Sequence, residues 1–137
     1  YETFKAQFEK VVAETIDPNL LTPEIRVDAL IDFKQIAPKL MRIINQFAPF
    51  GPGNMTPVFL AENLKDTGYA KAVGQTEDHL KISVKQKGVG PIGGIGFNLG
   101  SKLSIVKNKK RFDAVFTLDE NEWQGTVSLQ LKLKDLK

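Results

Sequence analysis

A chain of 137 residues, 42% hydrophobic and 26% charged, is sized for one packed domain, or for one domain carrying a fragment of another. It has no cysteine, which excludes disulfides and thiolate metal sites, and no apolar run near the roughly 20 residues that a membrane helix requires. The net charge of +3 is unevenly spread: residues 1–57 carry six Lys/Arg against seven acids, and residues 58–137 carry thirteen against nine, so only the second part leans towards a polyanionic partner.

Phe4, Phe8, Val11, Val12 and Ile16 fall at helical spacing, with Lys5, Glu9, Lys10 and Glu14 on other faces. That pattern predicts an amphipathic helix over 2–16, ending before Asp17-Pro18. Its apolar stripe needs cover, from residues 25–47 or from a second copy of the chain. A start at Tyr1 inside a helical pattern, with no charged-then-apolar leader, leads us to expect a piece of a longer protein without a signal peptide.

Ile25, Val27 and Ala29 alternate with Arg26, Asp28 and Leu30, which predicts a strand over 24–31. Ile36, Leu40, Ile43, Ile44 and Phe47 mark a second helix, with Pro38 tolerable only in its first turn. Phe47-Ala48-Pro49-Phe50-Gly51-Pro52-Gly53-Asn54 must then break it, because Pro49 and Pro52 lack an N–H and fix φ. Phe47 and Phe50 are too apolar for a solvated linker, so the segment reads as a packed hinge built on Phe50, Gly51, Gly53 and Asn54.

Strand-like runs follow at 58–60, 69–74, 80–86 and 92–99, a short helix at 101–106, and further strands at 112–118 and 126–134. Val127, Leu129, Leu131 and Leu133 should face inward, with Ser128, Gln130, Lys132 and Lys134 outward. Leu80, Ile82 and Val84 repeat the pattern against Lys81, Ser83 and Lys85. The fold class is therefore mainly β with helices (α+β). A five-stranded OB-type barrel, apolar inside and basic outside, follows a helix-strand-helix segment; a helix between strands three and four is usual for that barrel.

Little here points to catalysis. His79 is the only histidine, which rules out a His-rich metal site, and a lone His at a strand start reads as a surface or hairpin residue. Glu77-Asp78 and Asp119-Glu120 sit at expected turns, where carboxylates serve the backbone. Gly88-Val89-Gly90-Pro91-Ile92-Gly93 matches a dinucleotide fingerprint, yet a strand follows it where a helix N-terminus is needed. Gly100-Ser101-Lys102 has the wrong order for a phosphate loop. No catalytic or metal-ligating residue is assigned.

Lys107-Asn108-Lys109-Lys110-Arg111 concentrates cations at a helix-to-strand junction; it is either a solvated loop or a phosphate contact. Lys81, Lys85, Lys132 and Lys134 on outward strand faces support the second reading, through Lys109, Lys110 and Arg111 in the run. Trp123 could stack on a base or cap the core; Tyr69 and Phe97 are weaker candidates for stacking and read first as core residues.

The Phe47–Asn54 hinge, His79-Leu80-Lys81, Ile95-Gly96-Phe97-Asn98, Phe112–Leu118, Asn121-Glu122-Trp123-Gln124-Gly125 and Leu129–Asp135 occur in that order. Together they resemble the C-terminal part of the RecJ family, bacterial exonucleases specific for single-stranded DNA. In that family a Phe-Gly-x-Gly-Asn-Pro segment leads into an OB-type barrel that ends in a Gln-Leu-x-Ile/Leu-Lys-Asp strand. The likeness runs from about Ile25 to Asp135; it departs where Met55-Thr56-Pro57, rather than Pro, follows Asn54. The resemblance implies a tail of a DHH-associated domain over 1–22 and a RecJ-type OB domain over 23–137. It implies a cytoplasmic parent enzyme that degrades single-stranded DNA from the 5′ end, with Mn or Mg, in repair and recombination. This chain lacks the DHH-type metal-ligand clusters. It would guide the strand towards a catalytic centre elsewhere in the same protein, without a cofactor of its own. The alternatives are a non-catalytic module docking a protein partner such as a single-strand-binding protein, or a free-standing OB protein.

Overall fold

The computed structural model describes residues 1–137, except the side chains of Asn19 and Trp123. Five of its strands pair in a closed ring. β2 (Phe59–Asp66) pairs with β6 (Phe112–Trp123), β6 with β7 (Thr126–Leu136), β7 with β5 (Ile92–Gly96), β5 with β4 (His79–Lys85), and β4 returns to β2. All these pairings are antiparallel except β5 with β7. With helix α3 (Leu103–Asn108) between the ring's third and fourth strands, this is the connectivity expected of an OB fold.

Period-2 sequence explains the ring's interior. Leu80, Ile82 and Val84 of β4 and Leu131 of β7 are fully enclosed, as are Ala114 and Phe116 of β6. Each large apolar side chain so buried contributes about 1.5–3 kcal/mol. Alternation fails at two places in β7. Val127, expected inside, is 58% exposed, because the β6–β7 ribbon runs past the ring and has nothing to pack on there. Further on, Phe116 pairs with Leu133 and Val115 with Asp135, so the register skips Lys134 and turns Leu136 inward. The skipped residue is a β-bulge.

That ribbon also corrects the expected turn. β6 continues through Asp119-Glu120 to Trp123, and Gln124 and Gly125 alone make the reversal, with φ of 49° and 76°. Two successive positive φ values are what a tight hairpin matched to strand twist demands, and Gly125 supplies one at no steric cost. Asp119 and Glu120 are therefore strand residues, paired with Gln130 and Leu129.

The leading segment is less regular than expected. The strand over 24–31 shrinks to β1 (Ala29–Leu30), parallel to the start of β2. Ile25, Val27 and Leu30 are exposed, so the alternation there follows no buried face. A 3₁₀ turn (Phe33–Gln35) precedes α2 (Pro38–Asn45), with Pro38 in the first turn, where its missing N–H costs nothing. Met41 and Ile44 of α2 and Phe33 join the core. Gln86 fastens this part to the ring: its Oε1 accepts from Phe33 N–H (2.7 Å) and its Nε2 donates to Glu62 O (2.8 Å).

In the hinge, Phe50 packs against the core, Gly51 and Asn54 form an isolated bridge, and Asn54 Nδ2 donates to Phe47 O and Pro49 O. Phe47, expected to pack, is 62% exposed. Helix α1 (Glu2–Thr15) buries none of its residues; Phe4 and Phe8 stack on each other in the open instead of on residues 25–47.

An ion pair pins α3 to the ring. Lys102 Nζ reaches the Asp135 carboxylate and also donates to Leu136 O. Burial pushes the Asp135 carboxyl up, but the Lys102 hydrogen bond and charge and the Leu136 N–H outweigh it, holding it below the usual carboxylate range. A depressed folded-state pKa gives stability that is present above the unfolded pKa, about 3.9, and lost as pH falls through the folded value. Both side chains are partly exposed, so the pair is worth under about 1 kcal/mol after solvent screening. Urea melts of the native chain and Lys102→Gln should therefore differ at pH 7, and the gap should narrow progressively as pH falls below about 4. A gap unchanged at pH 3 would refute the pairing.

Candidate nucleic-acid interface

On β4 the side chains that do not enter the core are His79, Lys81, Ser83 and Lys85, and sheet register gives each a defined neighbour. Lys71 of β3 (Lys71–Val73) lies opposite Lys81, Lys81 opposite Ile95 of β5, and Ile95 opposite Lys132 of β7. The outer face thus carries one transverse row across four strands with cations at Lys71, Lys81 and Lys132. Directly opposed like charges cost free energy unless an anion relieves them. Among the described residues the ion pairs are Lys5–Glu9 and Lys102–Asp135, and neither draws on this row.

Beside the row stand aromatic rings. The Lys71 ammonium sits 5.2 Å from the centre of the Tyr69 ring, and Tyr69 is 46% exposed. The His79 ring meets Phe97 edge-on at 5.1 Å, its Nδ1 accepts from Asn98 N–H at 3.2 Å, and Phe97 is 53% exposed. Tyr69 and Phe97, expected in the core, are therefore surface residues. Both lie outside the strands, Tyr69 in the connection ahead of β3 and Phe97 just after β5. Cations flanked by accessible rings are the two elements of single-strand recognition: phosphate neutralisation and base stacking.

The structure splits the other sequence-derived candidates into separate groups. Lys85 lies opposite Lys65 of β2, and both line an open cleft together with Arg111. Lys109 and Lys110 line the adjoining groove with Lys107 and Asp66, and Lys65 borders both. Lys134, at the bulge, lies apart from Lys132: it lines one groove with Glu24, Arg26 and Asp28 and another with Asp113 and Asp135, where the charges are mixed. The Trp123 side chain lies outside the described residues; its backbone pairs with Thr126 at the hairpin tip. Lys71, Lys65 and Lys87 escaped sequence reasoning. Period 2 in β4 located Lys81, but Lys71 gains its meaning only from a register that no local pattern encodes.

Among the described residues no group of three or more His, Cys, Asp or Glu is placed to hold a metal ion, and no helix is long and apolar enough to cross a membrane. The hinge residues Gly51, Gly53 and Asn54 lie away from the lysine row in sequence; Gly53 lines the groove that contains Lys134.

Comparison with known proteins identifies the family of the fold. Residues 27–135 match the family model of the RecJ OB domain. The single-stranded-DNA-specific exonuclease RecJ of Salmonella typhimurium is 28% identical over 137 residues, covering 99% of this chain and 23% of the relative. That of Escherichia coli is 26% identical over 140 residues, with the same coverage of 99% and 23%. The chain thus spans about a quarter of the length of these curated relatives. Thermus thermophilus RecJ, solved in complex with Mn2+, superposes with a TM-score of 0.70 at 23% identity, over 100% of this chain and 19% of that one. Its complex with Mg2+ gives 0.70 as well.

Proposed function

From the premise that this chain belongs to the RecJ OB domain family, we propose that it is the strand-holding portion of a 5′–3′ single-stranded-DNA exonuclease. The observation that carries the reading is the Lys71–Lys81–Lys132 row with Tyr69 and Phe97 exposed beside it. Lysines would hold successive phosphates while the rings accept bases of any identity, as suits an enzyme that must digest every sequence. In this reading the division of the chain stays at a tail over 1–22 and an OB domain over 23–137. The parent acts in the cytoplasm, in repair and recombination, with Mn or Mg held by residues elsewhere in the protein. The structures of Thermus thermophilus RecJ with those ions support metal use in the parent. No step of the hydrolysis runs through residues of this chain; its contribution is to bind and orient the strand.

A labelled oligonucleotide titrated at several salt concentrations tests this. Releasing counterions gives a log–log salt slope of roughly −0.7 per phosphate contacted, so replacing Lys71, Lys81 and Lys132 with Ala should flatten the slope by about 2. Phe97→Ala should behave differently, weakening binding by about 1–3 kcal/mol with the slope unchanged. Affinity unaltered in both variants would sink the reading. It would favour instead a protein-docking module, for which the open Phe4, Phe8 and Val11 stripe of α1 is the supporting observation.

A further inference from the structure

At the corner of the ring, β2 changes partners. Leu64 still pairs with Phe112 of β6, while the next residue, Lys65, already pairs with Lys85 of β4. Asn63 makes the change possible: it stands in the left-handed region at φ 60°, the β2–β6 register shifts there, and its N–H is satisfied by Asp113 Oδ1 at 3.0 Å. The splay leaves an open cleft of about 350 Å³ outside the ring. Its walls carry Lys65 and Lys85 from the strand ends, Lys87 from the turn after β4, and Arg111 from the start of β6. No carboxylate lines it. Arg111 Nη1 spends one donor on Asn63 O (3.4 Å), which aims the guanidinium along the wall and leaves its other donors for a ligand. The aliphatic end of Lys34 comes close to Gly88 at the rim. None of these side chains joins the ion pairs found among the described residues.

We infer that this cleft is a second anion site, taking a phosphate group, and that its physiological occupant is a phosphodiester of the single strand that lies on the lysine row. The identity of that occupant rests on the proposed function; the anion site itself does not. Four cations line the cleft with no carboxylate among its lining residues, held against mutual repulsion by the strand pairing, and a phosphate is the group that satisfies both a planar guanidinium and point-charge ammonium groups. Lys81 and Lys85 are both on β4, four residues or about 13 Å apart at strand rise, so one strand running along β4 meets the row and then the cleft.

Two arms test the site. In the first, inorganic pyrophosphate is titrated into the full chain and amide resonances are followed. Shifts should concentrate at Lys65, Lys85, Lys87, Gly88 and Arg111 and vanish in Lys85→Gln/Arg111→Gln. Shifts spread evenly over all surface lysines would overturn the site. In the second arm, the same double variant should bind a labelled single-stranded oligonucleotide more weakly and lose about 0.7–1.4 of salt slope, one or two phosphates' worth. Oligonucleotide binding that falls with Lys71→Ala/Lys81→Ala but is untouched by the cleft variant would overturn the proposed occupant and leave the function standing. Pyrophosphate seated in the cleft without oligonucleotide binding at any salt concentration would overturn the proposed function, and the occupant with it, and leave the anion site standing. Should the double variant melt at a lower temperature, Lys87→Gln, an exposed turn residue, carries the same two readouts.

Discussion

Phe116→Ala should destabilise the chain by about 3–5 kcal/mol, the range for emptying the space of a buried aromatic ring. Phe116 is fully enclosed, lies opposite Phe59 across β2–β6 with ring centres 6.3 Å apart, and faces Leu133 across β6–β7. Three of the ring's strands therefore meet at this side chain, and none can collapse into the void without losing register. Set against a total stability of roughly 5–15 kcal/mol for a domain of this kind, the loss removes a third or more of it across most of that range and unfolds the chain outright only at the low end. Urea titration at 25 °C measures it. A change below about 1 kcal/mol would mean that the ring does not close around Phe116 as described.

Gly100→Ala should be nearly as damaging although it adds a single methyl. Gly100 opens the turn that leads into α3, and its N–H donates to Asp78 O at 2.8 Å. A Cβ placed there would collide with Glu77 O and stand 2.9 Å from the Asp78 carbonyl carbon, both backbone atoms that cannot rotate away. Relief requires parting the 77–78 loop from the helix, which breaks that hydrogen bond and tilts the His79 end of β4. Overpacking of this kind costs about 1–3 kcal/mol and sometimes more. Gly93→Ala is the control, since nothing lies within 4 Å of its Cβ position. Melts in which the two variants coincide would refute the close approach.

Most of the ring was legible in the sequence because its interior is written at short range. Leu80, Ile82, Val84, Leu131 and Leu133 alternate with lysines and Ser83, and a period of two admits one assignment of faces. The length of β6 was hidden: beyond Leu118 the ribbon is wet on both sides, so Asp119, Glu120 and Asn121 have a turn's composition in a strand's backbone. Hydrophobicity misplaced Tyr69 and Phe97, since an aromatic ring wanted on the surface has the same composition as one wanted in the core. The candidate face was only half visible. Lys81 and Lys132 could be oriented from their own strands, but Lys71 beside Lys81, and Lys65 beside Lys85, are joined by pairings between residues far apart in the chain. The Lys107–Arg111 run looked like one patch and proved to be two, because Arg111 already belongs to β6's wall while Lys109 and Lys110 still belong to the end of α3.

The position of β7 between β6 and β5 has a consequence for synthesis on the ribosome. A chain made from its N-terminus can form the β4–β5 hairpin and lay β6 against β2 early, yet both β5 and β6 must wait for residues 126–136. Until those residues emerge, the nascent chain carries two naked strand edges rather than a smaller finished sheet, and exposed edges recruit other chains. The Gln124-Gly125 reversal shortens that window: it delivers β7 to β6 as a local hairpin, leaving the parallel seam with β5 as the closing event.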